Sequence, residues 1–364
     1  MFDSIYKNKK VLITGHTGFK GSWLTTWLLN LGAEIIGVSK DIPTTPAMFE
    51  VLELEEKIEH HLIDIRDFDA LNMIIKKKKP DFIFHLAAQA IVSTSYLEPL
   101  ETISSNVMGT AHILESLRLS NHRCTAIIIT SDKAYDNVEQ IWGYKENDAM
   151  GGRDIYSGSK GAVELVIKSY YHSFFKLDNS NVRLSIARAG NVIGGGDWAK
   201  DRIIVDAMIA WSKGNKVEIR SPNATRPWQH VLEPLSGYLS LGQQLNADIS
   251  LNGEGFNFGP RAEQNRTVRE LLVDSSKYWN VDHDDAFTVT GNIPFHEAGL
   301  LKLNCDKALS YLKWQANLDY KDTIKFTSEW YYDYYQKNSM FSKTLSQISE
   351  YESSAKAKKL KWTA

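Results

Sequence analysis

The chain is predicted to be an α/β protein: a doubly wound parallel Rossmann sheet followed by a smaller C-terminal substrate lobe. Three observations predict this. Short apolar runs alternate with segments of helical period through the first half. The first run is followed at once by the glycine-rich turn Gly15-His16-Thr17-Gly18-Phe19-Lys20-Gly21. The polar residues with chemical potential fall where the apolar runs end, the edge at which open parallel sheets bind ligands.

Lys10-Val11-Leu12-Ile13-Thr14 reads as the first strand, and Phe19, Trp23, Leu24, Trp27, Leu28 and Leu31 recur at helical spacing after it. A strand, a glycine turn and a helix N-terminus form a cradle for a pyrophosphate, because the backbone can come close and the helix end favours negative charge. The spacing is G-x-x-G-x-x-G, and a tight turn needing positive φ would use the same glycines. Glu34–Val38 reads as the second strand and His61-Leu62-Ile63-Asp64 as the third. Phe68, Leu71, Ile74 and Ile75 mark a helix closed by lysines 76–79, which suit the negative end of its dipole. Asp81–Leu86 is the fourth strand, and the small residues Ala87 and Ala88 beyond it leave room for a ligand. Ile103, Val107, Leu114 and Leu117 mark another helix, and Ala126–Ile129 a fifth strand.

Thr130-Ser131-Asp132-Lys133 follows that fifth strand, and Tyr156-Ser157-Gly158-Ser159-Lys160 lies on the next helix. Residues four apart share a helix face, so Lys160 stands beside Tyr156. A neighbouring cation favours the phenolate and is expected to bring the tyrosine toward base catalysis near neutral pH. A Tyr-x-x-x-Lys pair also arises by chance, so its weight comes from the sheet that carries it. Asp132 and Lys133 add a possible acid and a second possible base, more than an alcohol oxidation needs, which points to oxidation coupled to an elimination.

Gly15–Gly21, Asp64-Ile65-Arg66-Asp67, His85-Leu86-Ala87-Ala88-Gln89, Asn106-Val107-Met108-Gly109-Thr110 and Tyr156-x-x-x-Lys160 together resemble the extended short-chain dehydrogenases/reductases (the NAD-dependent epimerase/dehydratase family) that act on nucleotide sugars. Within that family the chain is most similar to the nucleotide-sugar 4,6-dehydratases acting on CDP-glucose. That likeness rests on the glycine turn and on Pro43–Pro46, Ser131–Lys133, Gly190–Trp198 and Arg226–Val231.

The resemblance implies a dehydration to a 4-keto-6-deoxy sugar, feeding a surface polysaccharide, with Ser131, Asp132, Lys133, Tyr156 and Lys160 catalytic. It implies that NAD is held by Gly15, Thr17, Gly18, Phe19, Lys20, Gly21, Asp64, Ile65, Leu86, Ala87, Ala88, Gln89 and Asn106 together with Tyr156 and Lys160. It also implies that Asn191 meets the substrate diphosphate or base. The arginines Arg202, Arg220 and Arg226, with His230 beside them, suit a diphosphate, since guanidinium forks match phosphate geometry. Pairing into a homodimer or homotetramer through helices near 98–118 and 156–172 is implied as well.

Two departures from the family pattern stand out. Ser39-Lys40 closes the second strand where an acid commonly bonds the ribose, so charge there suits NAD or NADP, and the family's internal hydride cycle implies NAD. Ser93 stands where an arginine is common, which leaves the base and sugar open. A 4-epimerase would need only Ser131, Tyr156 and Lys160. A non-catalytic dinucleotide sensor would need none of them.

Composition fits such an enzyme. The 364 residues allow an ample core, and 42 basic against 44 acidic residues carry no excess charge for nucleic acid or anionic membranes. No apolar stretch reaches membrane length, the start Met1-Phe2-Asp3-Ser4 lacks a leader pattern, and a cytoplasmic location is expected. Cys124 and Cys305 show no metal or redox spacing, and no metal is expected. The cofactor domain is expected over 1–190 with returning segments at about 228–262, and the substrate lobe mainly over 191–364. A polar tail at about 350–364 closes the chain, with Ser353–Lys361 read as mobile. The aromatic group Trp330, Tyr331, Tyr332, Tyr334 and Tyr335 reads as core or subunit contact.

Overall fold

The computed structural model describes residues 1–177, 179–290 and 300–364. Thirteen strands are present among them: β1 (Lys10–Thr14), β2 (Glu34–Ser39), β3 (Glu59–Leu62), β4 (Phe82–His85), β5 (Cys124–Ile129), β6 (Val182–Ala189), β7 (Val192–Ile193), β8 (Val217–Ile219), β9 (Thr225–Pro227), β10 (Gln229–His230), β11 (Gly255–Phe258), β12 (Asn265–Thr267) and β13 (Phe287–Val289). The helices are α1 (Phe19–Asn30), α2 (Met48–Val51), α3 (Phe68–Lys78), α4 (Val92–Leu97), α5 (Pro99–Ile103), α6 (Gly109–Ser120), α7 (Ile155–Tyr170), α8 (Ile203–Ser212), α9 (Leu232–Ala247), α10 (Val268–Ser276), α11 (Tyr320–Tyr335) and α12 (Met340–Ala357).

Seven strands form one parallel sheet in the order β11-β6-β5-β4-β1-β2-β3. The direction of winding reverses between β1 and β4, which pair in the register Val11↔Phe82 to Thr14↔His85. Side chains alternate between the two faces. Val11, Ile13, Phe82, Phe84, Ile127 and Ile129 enter the larger core, with α1, α9 and the C-terminal helices. Leu12, Ile83, Ala126 and Ile128 enter a second core beneath α3, α6 and α7. Because both faces are covered, the central strands are largely apolar, whereas the edge strand β3 reads Glu59-His60-His61-Leu62 and is not buried. The third strand is Glu59–Leu62, two residues earlier than its apolar pattern suggested, so Asp64 lies beyond the strand end. Local caps start the helices: Asp67 accepts from Ala70 N at 3.1 Å for α3, and Asp154 accepts from Ser157 N at 2.9 Å for α7. The smaller lobe carries α8 and α10 with the two-stranded pairs β8–β13 and β9–β12.

The C-terminal segment corrects the sequence expectation of a mobile polar tail. Helix α12 runs to Ala357, and Ile348, Tyr351 and Ala355 are fully buried along one stripe. Trp362 is buried too, stacked on Phe2 with ring centroids 5.1 Å apart and on Tyr351 at 5.7 Å. Average polarity hid this, because a few apolar residues at helical spacing suffice to dock a helix. Trp27 donates to Glu352 at 2.8 Å and fastens the same helix to α1, the helix after the glycine turn. Trp362→Ala is therefore expected to destabilise the protein by about 3–5 kcal/mol in urea unfolding, the usual cost of emptying a buried tryptophan site. A change of less than about 1 kcal/mol would show that the tail is not part of the core.

Candidate active site

The turn between β1 and α1 stands at the sheet's carboxyl edge. Gly15 has φ +75°, and a Cβ there would lie 2.8 Å from Ala87 N. Only glycine allows both the left-handed conformation and this approach. Gly18 is the N-cap of α1 and brings no capping side chain, and a Cβ on Gly21 would collide with Gly15 O. The backbone N–H groups of the first turn thus face a narrow cradle that an anionic diphosphate fits. Phe19 leans against the Gly194 loop. Thr17 donates to Asp41 O at 2.7 Å and pins the turn to the end of β2.

Along the neighbouring strand ends, Ala87 N donates to Thr14 Oγ1 at 3.2 Å, just beyond Leu86. Ala88 precedes Gln89, whose N–H donates to Asn106 Oδ1 at 2.8 Å, and Asn106 Nδ2 donates to Ser159 Oγ at 2.8 Å. These bonds join β4's exit loop to α7. Ile65 is buried against Gly109. Asp64 does not present a free carboxylate: it accepts from the Arg66 backbone at 2.9 Å and from its guanidinium at 2.6 Å. Arg66 also meets Glu101, which pairs with Lys40 at 3.2 Å. The guanidinium lowers the Asp64 carboxyl below its ordinary range.

The reacting groups converge opposite this cradle. Ser131 Oγ donates to Asp132 Oδ1 at 3.0 Å and accepts from Lys133 N at 3.2 Å. The Ser131 side chain lies near enough to the Tyr156 phenol to favour its ionised form. Lys160 Nζ lies 5.8 Å from the Tyr156 ring centre. Asp132 is buried, and a Cβ on Gly190 would come within 2.7 Å of its Oδ2, so a glycine there admits the carboxyl. Burial raises the Asp132 carboxyl above its ordinary value, and the Lys133 charge opposes this. Burial also lowers Lys160 to about 8, helped by the charge of Lys20. Tyr156 differs from expectation. Burial holds its phenol above the ordinary value and outweighs the lowering by Ser131 and by the charge of Arg202.

Lys20 lies within electrostatic reach of Arg202, Asp132 and Asp197, and burial lowers it to about 8. It therefore sits near the turn of Asp132 and the Asp197–Arg202 segment as well as on the glycine turn. Arg202 is exposed, its Nε 3.8 Å from Asp197 Oδ2. Asn191 O accepts from Gln229 N at 3.3 Å, which joins the loop before β7 to β10. Arg226 donates to Thr225 O at 2.9 Å on β9, and Arg220 is exposed after β8, its charge felt by Asp206. His230 departs from the diphosphate group. It is fully buried, edge-on to Trp23 at 5.7 Å and to Phe326 at 5.5 Å, because β10 runs into the core behind Gly194. Sequence proximity to Arg226 could not reveal that turn inward. Ser93 Oγ donates to Asp201 Oδ2 at 2.7 Å and joins α4 to the loop before α8.

Two groups escaped the sequence reading. His16 Nε2 lies 2.6 Å from His60 Nδ1 and its Nδ1 2.9 Å from Ser39 Oγ, which braces the glycine turn from behind. Arg188 and Glu164 form a buried pair behind the catalytic turn. No motif links positions so far apart in the chain. Among the described residues, no group of three His, Cys, Asp or Glu could hold a metal ion.

A family model described as GDP-mannose 4,6 dehydratase matches residues 12–327. The chain belongs to this dehydratase family. The CDP-glucose 4,6-dehydratase of Salmonella typhimurium is 44% identical over 353 residues, covering 96% of this chain and 98% of that protein. The CDP-paratose 2-epimerase of Salmonella typhi is 26% identical, with 88% and 98% covered. In fold, the chain resembles the dTDP-glucose 4,6-dehydratase DesIV from Streptomyces venezuelae, solved with NAD and TYD bound: TM-score 0.76, 20% identity, 91% and 99% covered.

The two lowered lysines give a signed stability prediction. Lys20 and Lys160 each release their proton near pH 8 in the folded chain, against an ordinary value of 10.5. Between those values the unfolded state holds more protons, so stability rises with pH, and below about 8 the burial penalty is present in full. Lys20→Met is expected to raise the melting temperature of ligand-free protein at pH 7, with the gain shrinking toward pH 10. A variant that melts lower at pH 7 would contradict this.

Proposed function

We propose that this enzyme binds NAD and dehydrates CDP-glucose to CDP-4-keto-6-deoxyglucose. One observation carries the reading: a buried carboxyl and a lysine, Asp132 and Lys133, share a turn with Ser131, whose hydroxyl bonds both and lies near the Tyr156 phenol. Oxidation alone leaves that acid and base without a task. The near full-length likeness to a CDP-glucose 4,6-dehydratase supports the nucleotide and the sugar. Ser93, bonded to Asp201, would then act between α4 and the loop before α8 without a charge of its own for the substrate.

The glycine cradle fits the pyrophosphate of a dinucleotide. Lys40 and Arg66 are both already paired, with Glu101 and with Asp64 and Glu101, which supports NAD over NADP because neither cation is left unpaired for a 2′-phosphate. NAD, when bound, supplies the hydride acceptor, a positive charge that favours the tyrosinate, and later the hydride donor. Tyr156 takes the proton of the C4 hydroxyl, with Ser131 orienting its oxygen and Lys160 adding positive charge. The resulting C4 ketone acidifies the C5 proton, because the carbanion is an enolate. Lys133 removes that proton. Asp132, kept protonated by its burial, gives its proton to the departing C6 hydroxyl. Arg202, Arg220, Arg226 and Asn191 are proposed to hold the nucleotide diphosphate as the lobe lies over it.

Leu100 and Leu165 are 79% and 59% exposed on α5 and α7, two helices that pack together. We propose that this apolar face joins copies of the chain into a homodimer or homotetramer. The buried free thiol Cys124 and the half-buried Cys305 suit a reducing cytoplasm.

Two variants separate the steps. Tyr156→Phe is expected to lose C4 oxidation by more than the ~10²–10⁴-fold that one general base supplies, since later steps need the ketone. Lys133→Met should still oxidise C4, so reduced cofactor and 4-keto-hexose accumulate while dehydrated product falls. Full-rate dehydration by the methionine variant at saturating CDP-glucose rejects Lys133 as the base. Wild-type product formed in D2O should carry deuterium at C5, and its absence would argue for an epimerase. For the assembly, Leu165→Lys should yield monomers in light scattering, and an unchanged oligomer would rule out that face.

A further inference from the structure

The turn that carries the proposed elimination pair is held at both flanks by one buried ion pair. On its N-terminal side, Thr130 Oγ1 donates to Glu164 Oε1 at 2.6 Å. On its C-terminal side, Arg188 Nη1 donates to the Tyr135 hydroxyl at 2.7 Å, with the guanidinium 5.1 Å from the centre of that ring. Glu164 and Arg188 are bonded to each other twice, at 2.8 and 2.9 Å. The Tyr135 hydroxyl passes its own proton to Asn257 Oδ1 at 2.8 Å, on β11. Thr130, Tyr135, Glu164 and Arg188 are each no more than 5% exposed.

Its members come from four parts of the chain: the turn itself, α7, β6 and β11. Glu164 stands one helical turn beyond Lys160 on α7, and Arg188 lies on β6 next to β5 in the sheet. The network therefore ties the turn bearing Asp132 and Lys133 to the helix bearing Tyr156 and Lys160. Nothing in it faces the glycine cradle. A buried ion pair is a poor source of stability, because desolvating two charges offsets much of their attraction. It is a good source of geometry, because a bidentate guanidinium–carboxylate pair admits one arrangement.

We propose that Glu164 and Arg188 are positioning residues for the elimination. They act through Thr130 and Tyr135 to set the distance of Asp132 and Lys133 from a sugar oriented by Tyr156, without touching it. The inference rests on the dehydratase reading above for its chemistry, but not for its mechanics. Misplacing a reacting group by about 1 Å can cost roughly 10²-fold in rate, so the clamp has a kinetic consequence even if the fold is intact.

Thr130→Val tests this, because valine keeps the shape and removes the one hydroxyl that joins the turn to Glu164. Two readouts are taken on the full-length protein. The first is amide hydrogen exchange, which does not depend on the substrate. Amides of Lys133 and Ala134 should exchange about tenfold faster, while α7 and the urea midpoint stay near wild type. The second is a single turnover with NAD and CDP-glucose. C4 oxidation should stay within about threefold of wild type while dehydrated product falls about 10- to 100-fold, leaving reduced cofactor bound. Thr130→Ser, which restores the hydroxyl, should recover both. Unchanged exchange at the turn overturns the proposal whatever the substrate is. So does equal loss of oxidation and dehydration, or a loss that serine does not rescue. If the turn loosens as described but wild-type enzyme makes no 4-keto-6-deoxy product, the clamp stands and the dehydratase reading fails.

Discussion

The close approach of Gly15 to the backbone of Leu86 and Ala87 is the constraint on which the rest depends. It occurs between β1 and β4, where the sheet reverses its direction of winding. A side chain at Gly15 would push these strand ends apart, and no crevice of the right width would form. Because all seven strands are parallel, their carboxyl ends share one edge, and the groups that follow β1, β4 and β5 are carried to one place. Gly15, Ala87 and Ser131 are thereby brought together across more than a hundred residues of chain.

Around that crevice, burial performs two opposed tasks. It raises the Asp132 carboxyl and lowers the Lys160 ammonium, each toward its uncharged form. It also raises Tyr156, which is the wrong direction for a base. The cost of keeping two lysine ammonium groups in this neighbourhood is carried by the large aromatic core on the other face, including the C-terminal helices fastened to α1.

That core explains why the second half of the chain reads poorly. Trp23 donates to Gly195 O at 2.8 Å, and Tyr331 donates to Asp197 O at 2.5 Å. The glycine loop after β7 is therefore shaped by residues from α1 and α11, far from it in sequence. His230 has the same origin: the residue type suggested a ligand contact, yet its neighbours Trp23 and Phe326 make it part of the packing.

The sequence by itself determined the alternation of strands and helices, the glycine turn, and the chemistry of Ser131, Asp132, Lys133, Tyr156 and Lys160. These are local properties: periodicity, turn geometry, and the i, i+4 spacing of a helix face. Tertiary structure alone decided how Asp64 is occupied, that Lys20 is buried near Asp132, Asp197 and Arg202, where His230 lies, and that the polar C-terminus docks. It also created the Glu164–Arg188 clamp on the catalytic turn. Each of these is a contact between distant segments, and a side chain's charge state and freedom depend on what surrounds it, which no local pattern encodes.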